Sequence, residues 1–361
     1  MNTKYWIGLS SLEQLDSRFI IQLYDYFGDI ERAFNASKAE LSNIEGLNIK
    51  KSEYFLDSRN KLNLDELFES VEKRGIRVLA YDDERYPRLL KEISNPPAVL
   101  YYKGDLFSCN LDKTLAVVGS RRASYNGKES LKKIINGFIG TDICIVSGLA
   151  TGIDTVSHQL ALENNLKTIG VIASGFDFTY PTSNKSLYEE IINGNGAIVT
   201  EYYPTFEPLK FRFPQRNRIV SGLSFGTLVV EAAIKSGALI TANIALEQGR
   251  ELMCIPGLIT NPNTEGIYKL LKTGATLVTE SDDVLNALGW EIIKDNQNFE
   301  ESDDLTIDEK KILYTINIEP KNFDEIQNET KLSTDDLLVL LTTLELKGKL
   351  KQIVGDRYSI I

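Results

Sequence analysis

Seven short apolar segments recur between residues 115 and 278, and each is separated from the next by a stretch long enough for a helix. They occupy residues 115–118, 143–146, 168–172, 197–200, 227–230, 251–254 and 276–278. Uninterrupted apolar runs of this length are typical of parallel strands buried on both faces. The pattern predicts an α/β fold over residues 76–290: an extended Rossmann-like, doubly wound sheet, which the runs at 77–80 and 98–102 extend. Ligands of such sheets bind beyond the carboxyl ends of the strands.

The residues before this sheet predict a small helical module. Residues 1–75 contain helical patterns at 11–26 and 37–59 and resemble a helix-hairpin-helix or SAM-like domain. Residues 41–47 give the apolar-x-Gly-apolar turn of a helix-hairpin-helix, a motif that offers backbone N–H groups to phosphates. Asn48 and Ile49 stand where its second glycine is expected, so we favour helical packing over DNA binding for this turn.

The residues after the sheet predict a linker at 291–304 and a winged-helix domain at 305–361. Three capping-box-like helix starts, at Thr306, Asn322 and Ser333, precede a hairpin predicted to turn at residues 355–356. The third helix is expected to expose mainly acidic and hydroxyl side chains: Asp335, Asp336, Thr342, Thr343 and Glu345. Helices that read the major groove present Arg, Lys, Asn or Gln instead. We therefore favour protein docking or structural support over DNA reading for this domain.

The amino-acid composition and the absence of some motifs argue against several kinds of site. The 361 residues carry a formal net charge of -11, with one histidine, His158, and three scattered cysteines, Cys109, Cys144 and Cys254. This argues against histidine-rich metal sites and disulfide frameworks, and predicts buried, reduced cysteines and a structural His158. Neither G-x-G-x-x-G nor G-x-x-x-x-G-K-[ST] occurs, so we expect no nucleotide cofactor. Apolar runs are too short for a membrane span or a signal peptide, and we expect a cytoplasmic protein.

One basic and aromatic segment stands out in this acidic chain. Residues 211–218 read F-R-F-P-Q-R-N-R, with three arginines and two phenylalanines in eight positions. Guanidinium groups follow a phosphate backbone and aromatic rings stack on unpaired bases, so the segment predicts a loop that binds single-stranded nucleic acid. The alternative is that both phenylalanines are core anchors and the arginines pair with nearby carboxylates.

The ends of the predicted strands carry glycine turns and polar side chains. The first run is followed by a glycine turn with Ser120, Arg121 and Arg122, and the second leads to Asp154 at the start of a helix. The third run is followed by residues 173–181, and the fifth ends beside Glu231. Strand ends of one parallel sheet meet at one rim, so we expect these groups to surround a common ligand site.

Taken in order, these motifs resemble the DNA-processing protein A (DprA/Smf) family. The resemblance covers about 140 residues and rests on V-G-S-R at 118–121, S-G-L-A-x-G-I-D-x-x-x-H at 147–158, Y-P at 180–181, E-Y at 201–202, F-P-x-R-N-R-I at 213–219, S-G-L-S at 221–224, V-E-A at 230–232, S-G-x-L-x-T-A at 236–242, G-R at 249–250 and P-G at 256–257. The flanking helical and winged-helix modules also resemble that family.

The resemblance implies a recombination mediator that binds single-stranded DNA and is not an enzyme. Such proteins protect incoming single strands, load the RecA recombinase on them in natural transformation and homologous recombination, help displace single-strand-binding protein, and form homodimers through the Rossmann-like domain. Carried onto this chain, the DNA pocket would comprise Ser120, Arg121, Arg122, Lys210, Arg212, Phe213, Gln215, Arg216, Asn217 and Arg218, with Gly148 and Gly175 letting the backbone approach phosphates.

One departure and one competing function remain. Thr151 stands where the family often has arginine, which removes or moves one possible phosphate contact. A phosphoribohydrolase-like, nucleotide-hydrolysing Rossmann enzyme would use Glu231 and Asp154 as its acids, although the P-G-G-x-G-T-x-x-E signature of those enzymes is absent. Otherwise Glu231 would be a buried carboxylate paired with an arginine of 216–218. If about four or five phosphates are neutralised, log affinity should fall with log salt with a slope of about -3 to -3.5.

Overall fold

The apolar runs form the strands of one mixed sheet in the computed structural model, which describes residues 2–291, 305–316, 320–353 and 357–360. Within residues 2–291 the strands are β1 (Arg77–Ala80), β2 (Val99–Gly104), β3 (Thr114–Val118), β4 (Cys144–Ser147), β5 (Lys167–Val171), β6 (Gly196–Thr200), β7 (Gly226–Val229), β8 (Glu251–Cys254) and β9 (Thr276–Leu277). All seven predicted core strands are confirmed, with ends within two residues of the prediction. The runs at 77–80 and 98–102 extend the sheet as antiparallel strands, as predicted.

The strand order is β1-β2-β6-β5-β4-β3-β7-β8-β9. Along the run β6-β5-β4-β3-β7-β8-β9, every pair of neighbouring strands is parallel. From β3 the chain builds outward through β4, β5 and β6 on one side and through β7, β8 and β9 on the other. The topological switch point therefore lies between β3 and β7, where the connections diverge to opposite faces of the sheet and leave a crevice.

Helices cover both faces of this sheet. They are α7 (Arg88–Lys91), α8 (Tyr125–Asn136), α9 (Ile153–Glu163), α10 (Lys185–Glu190), α11 (Arg212–Gly222), α12 (Gly237–Glu247), α13 (Glu265–Lys272) and α14 (Ser281–Leu288). One buried cluster joins Val118, Val146 and Ile219, and another joins Val117, Ile145 and Leu131. Alternate residues of β3 and β4 thus enter opposite cores, which confirms strands buried on both faces.

The N-terminal helices pack on this domain through a shared core. They are α1 (Thr3–Ser10), α2 (Ser17–Phe27), α3 (Ile30–Asn35), α4 (Lys38–Ser42), α5 (Ile49–Arg59) and α6 (Leu64–Lys73). Their buried cluster includes Trp6 together with Val99, Tyr101 and Tyr203 of the sheet domain, and residues 1–293 form one compact unit. Residue 75 therefore marks a change of secondary structure within a continuous core.

Two helical predictions in the N-terminal module need correction. The helix expected over 11–26 begins only at Ser17, because Asp16 is extended and accepts a hydrogen bond from the Phe19 N–H, as an N-cap does. The helix α1 was not predicted. The pattern at 37–59 is two helices, α4 and α5, with a turn at Gly46 in the left-handed region (φ 71°).

The second compact unit, residues 294–361, has a winged-helix order of elements. It contains α15 (Ile307–Ile316), β10 (Lys321–Asn322), α16 (Phe323–Thr330), α17 (Thr334–Leu346), β11 (Leu350–Ile353) and β12 (Arg357–Ile360), with sheet order β10-β12-β11. Thr306, Asn322 and Ser333 each accept a hydrogen bond from the backbone N–H three residues on, which confirms the predicted helix starts. The predicted hairpin turn at 355–356, and the predicted linker after residue 291, lie outside the described residues.

The side chains that were predicted to be exposed on α17 are accessible, but Leu338, Val339 and Leu346 of the same helix are exposed as well. Asp335, Asp336, Thr342 and Glu345 are exposed and Thr343 is half-buried. Leu337, Leu341 and Leu344 form the opposite, buried face with Ile326. Whether the domain docks a protein or supports the fold stays a prediction.

The composition led to expectations about the cysteines and about membrane-spanning helices, and both can be compared with the described residues. The three cysteines are buried and unpaired, as predicted. Across the part of the chain that the structure describes, no helix combines the length and apolarity needed to span a bilayer.

Candidate nucleic-acid interface

A cleft of ≈ 610 Å³ opens at the topological switch point, and we call it the switch-point cleft. Its walls are the turn after β3, the turn after β4, the start of α11, and the loop from β7 into α12. Its lining includes Gly119, Ser120, Arg121, Gly148, Ala150, Asp154, Tyr180, Lys210, Phe213, Arg216, Asn217, Ser236, Gly237, Ile240 and Thr241. Three of the four predicted strand ends thus border one cavity, whereas Glu231, beside the fourth, does not line it.

Cationic and aromatic side chains meet on one side of this cleft. Arg121 and Lys210 are both exposed. The Arg121 guanidinium carbon lies 5.8 Å from the centroid of the Phe213 ring, which contacts the Tyr180 ring edge-on at 5.4 Å between centroids. A guanidinium over an aromatic face is a cation–π contact, so the cation and the rings form one surface.

The turn that carries Arg121 is held by the turn after β4. The Ile153 N–H donates to the Ser120 carbonyl oxygen at 3.1 Å, and Ser120 Oγ accepts from the Arg122 N–H at 3.1 Å. Gly152 adopts a φ of 85°, and a Cβ there would overlap the Ser120 and Arg121 backbone. Glycine at 152 therefore allows the two strand-end turns to touch, which fixes Arg121 at the cleft mouth.

The segment at 211–218, predicted as a loop, is the N-terminal part of α11. Pro214 stands in the first turn of this helix, where a missing N–H removes no intrahelical hydrogen bond. The helical repeat sends successive side chains to different sides, so the three arginines do not share one surface. Phe213 and Asn217 line the switch-point cleft, whereas Arg212, Gln215 and Arg218 line another cavity.

Arg216 lies behind the cleft surface and is buried. Its Nη1 donates to the carbonyl oxygens of Gly148 and Val171, at the ends of β4 and β5. A Cβ at position 148 would overlap this guanidinium, so the glycine leaves room for Arg216. Gly148 also lines the switch-point cleft, and its approach to a phosphate stays a prediction. Burial also lowers the pKa of Arg216.

Gly175 likewise accommodates the protein itself. A Cβ at this position would overlap the carbonyl oxygens of Tyr203 and Pro204, and the Gly175 N–H donates to the Phe206 carbonyl oxygen at 2.7 Å. Glycine at 175 thus lets the segment that leads to α11 approach closely, and the approach of a phosphate here stays a prediction.

A second cavity of ≈ 340 Å³, which we call the second cleft, lies on the other side of α11 against the N-terminal module. Arg212 is 2% exposed and donates to the Glu207 carbonyl oxygen and to the Glu13 carboxylate. Arg218 pairs with Glu201 at 2.6 Å. Gln215 is exposed, and its Oε1 accepts from the Tyr202 hydroxyl at 3.2 Å. These arginines show the pairing with carboxylates that was the alternative at 211–218.

The two candidate acids are separated. Asp154 lines the switch-point cleft, and burial raises the pKa of its carboxyl to about 6 against the opposing effect of Arg216. Glu231 is buried beneath the start of α8, where it accepts from the Ser124 N–H at 2.9 Å and from Ser124 Oγ. Glu231 is thus a buried carboxylate held by a serine, not by an arginine of 216–218 as the alternative supposed.

His158 has the surroundings of a structural residue. It is fully buried on α9, and its Nδ1 lies 2.7 Å from the Thr168 hydroxyl oxygen on β5. Burial, with a smaller effect of Arg216, lowers the pKa of its imidazole to about 3. The ring is therefore neutral at physiological pH.

Several residues of the cleft belong to the sequence motifs but were not predicted to be site residues. Tyr180 follows β5 and stands at the cleft mouth, while Ser236 caps α12 by accepting from the Leu239 N–H. Gly237, Ile240 and Thr241 of α12 also line the cleft. The sequence signal was a capping serine in the loop that follows the fifth apolar run.

Comparisons with known proteins agree with this architecture. Residues 77–289 match the family model described as DNA recombination-mediator protein A, and residues 300–356 match the DprA winged helix domain. The chain is 32% identical to protein Smf of Synechocystis over 98% of both chains. It is 38% identical to the DNA processing protein DprA of Streptococcus pneumoniae, over 78% of this chain and 97% of that one.

Two solved structures share the fold. The X-ray structure of DprA from Streptococcus pneumoniae has a TM-score of 0.70 at 36% identity, and covers 79% of this chain and 97% of that chain. DNA processing protein A from Helicobacter pylori, described for its single-stranded DNA binding mode, has a TM-score of 0.53 at 29% identity, over 59% of this chain and 95% of that chain. Since the family model spans most of the chain, this protein belongs to the DNA recombination-mediator protein A (DprA/Smf) family.

Proposed function

We propose that this protein binds single-stranded DNA in the switch-point cleft and acts as a mediator that protects the strand and loads RecA onto it. The observation that carries the proposal is the meeting of exposed cations, Arg121 and Lys210, with the rings of Phe213 and Tyr180. Cations attract the phosphate backbone, and aromatic rings stack on bases that have no pairing partner. Bases in a duplex are already stacked, so single strands should be preferred.

Family membership supports the mediator role. The matched family is one of recombination mediators, and the Helicobacter pylori relative is described as binding single-stranded DNA. The setting we propose is natural transformation or homologous recombination in the cytoplasm, with RecA and single-strand-binding protein as partners. A homodimer through the Rossmann-like domain would offer two clefts to one strand and raise its affinity through avidity.

The structure changes the expected number of phosphate contacts. Arg212 and Arg218 are each paired with a carboxylate. Arg216 has no carboxylate partner within the described residues, but it is buried and bonded to two backbone carbonyl oxygens. We therefore count none of the three as a phosphate contact. Arg121 and Lys210 remain at the cleft, with exposed Arg122 beside it. Two or three phosphates at about 0.7 each give a salt slope of about -1.4 to -2 per protomer, shallower than the sequence alone predicted.

We propose binding without turnover. Of the two candidate acids of the enzymatic alternative, Glu231 is bonded to Ser124 and Asn261 outside the cleft, and Asp154 alone lines it. Incubation with nucleoside monophosphates should release no free base. Release of free base that Asp154→Asn abolishes would overturn this part of the proposal.

The proposal is tested by strand preference followed by RecA loading. A labelled oligonucleotide should bind more tightly as a single strand than as its duplex. In a second assay, the DNA-dependent ATPase of RecA on strands coated with single-strand-binding protein should start sooner when this protein is added. Equal affinity for both DNA forms would contradict the binding role, and an unchanged lag would contradict the loading role.

A further inference from the structure

We propose that the second cleft is a subsite for an unpaired base of the strand held in the switch-point cleft, with Phe211 as its stacking platform. The inference rests on the proposed binding of single-stranded DNA and extends it across α11. Two residues adjacent in the chain line different cavities: Lys210 lines the switch-point cleft and Phe211 lines the second cleft.

Phe211 has the exposure and the support that a stacking platform needs. It is 58% exposed at the end of the segment leading into α11, where Lys210 is exposed as well. The guanidinium carbon of buried Arg212 lies 5.6 Å from its ring centroid. Arg212 is itself fixed by Glu207 and Glu13, so the ring rests on a rigid base. Exposed aromatic rings beside cations are the means by which proteins hold single strands without reading sequence.

The charges of the second cleft favour a base over a phosphate. Its three cations are each paired with a carboxylate: Lys51 with Asp16 at 2.6 Å, Arg212 with Glu13 at 2.5 Å and Arg218 with Glu201 at 2.6 Å. Phosphate binding draws on cations whose charge is not already compensated. An uncharged base needs only an aromatic face and hydrogen-bonding groups, and the exposed Gln215 amide lines the same cavity.

Two side chains that line the second cleft each carry a buried polar atom that is left unsatisfied within the described residues. Arg218 Nη1 and Asn95 Oδ1 have no hydrogen-bond partner among the described residues, and both side chains line the second cleft. One is a donor and the other an acceptor, the combination that the edge of a nucleobase presents. The cavity of ≈ 340 Å³ falls in the size range of small-ligand pockets.

The test compares Phe211→Ala with wild type on oligonucleotides of about 4 to 16 nucleotides, the range of single-strand site sizes. We expect wild-type affinity to rise by a step once the strand is long enough to cross α11. Phe211→Ala should remove this step, lowering affinity for long strands about fivefold or more while leaving short strands and the salt slope unchanged. Ile259→Ala, another exposed apolar side chain (83% exposed), is the matched control.

Strands with single abasic sites separate stacking from a change of fold. An abasic site at one position of the strand should lower the affinity of wild type by the same factor as Phe211→Ala does on an intact strand. The variant should lose no further affinity on the strand with that abasic site. Additive losses, or a Phe211→Ala variant that binds every length like wild type, would overturn the inference. Failure of wild type to bind any single strand would instead refute the proposed function.

Discussion

The guanidinium of Arg216 occupies the position that a Cβ of residue 148 would take, and it donates a hydrogen bond to the Gly148 carbonyl oxygen. The two residues, both expected from the sequence to lie near phosphate, thus contact each other. The arginine ties α11 to the ends of β4 and β5, and so places Phe213 and Asn217 of that helix at the switch-point cleft.

Gly148→Ala should destabilise the protein. The new Cβ would displace the buried guanidinium, and overpacking of this kind costs about 1–3 kcal/mol. Urea unfolding of the variant should show a lower midpoint than wild type. Gly194→Ala is the matched control, because a Cβ at 194 meets no atom within 4 Å. Equal midpoints for all three proteins would show that Arg216 can move aside freely.

Arg216→Gln should lower stability without changing the salt dependence of DNA binding. The carbonyl oxygens of Gly148 and Val171 would lose a buried donor, which costs about 1–3 kcal/mol for each group left unpaired. The slope of log affinity against log salt should equal that of wild type, because no phosphate contact is lost. A slope shallower by about 0.7, with wild-type stability, would instead place Arg216 on a phosphate.

Asp154→Asn should change how stability responds to acid. Burial raises the pKa of the Asp154 carboxyl to about 6, above its value of 3.8 in a free side chain. Between about pH 4 and pH 6 the folded state keeps a proton that the unfolded chain has released, so wild type gains stability relative to the variant as pH falls. Between pH 7 and pH 4.5 the gain should be about 2 kcal/mol. Urea unfolding at about pH 7 and pH 4.5 measures it, and a constant difference would contradict it.

His158→Gln should show the opposite sign and serves as a companion to the Asp154 experiment. Burial lowers the pKa of the imidazole to about 3, below its usual 6.5. The unfolded chain therefore takes up a proton between about pH 6.5 and pH 3 that the folded state does not. Wild type should lose stability relative to His158→Gln as pH falls through this window, as the same unfolding series would show. A gain would indicate that His158 is protonated in the fold.

The sheet was predictable because its signal is local. Runs such as 115–118 and 143–146 are buried on both faces, so each is apolar without interruption and bounded by glycine turns. The position of the cleft follows from these strand ends by the general rule for doubly wound sheets. The residues at its mouth, Arg121 and Lys210, were among those chosen from the sequence.

The direction of each α11 side chain was not predictable, because its partners are distant in sequence. Arg216 bonds to carbonyl oxygens 68 and 45 residues away, and Arg212 pairs with Glu13, 199 residues away. The cluster of arginines in the sequence therefore predicted one basic surface. In the structure Arg216 is buried, whereas Arg212 and Arg218 line the second cleft. Only the fold distinguishes a buried guanidinium from one that is free to meet a phosphate.

The measurement that bears most directly on DNA binding at the switch-point cleft is fluorescence anisotropy of a labelled single strand across a salt series. Wild type would be compared with Arg121→Ala, Lys210→Ala and Lys132→Ala, the last being an exposed cation of α8 outside the cleft. We predict weaker binding and a slope shallower by about 0.7 for each cleft variant, with Lys132→Ala indistinguishable from wild type. Identical affinities and slopes for all four proteins would contradict DNA binding at this cleft.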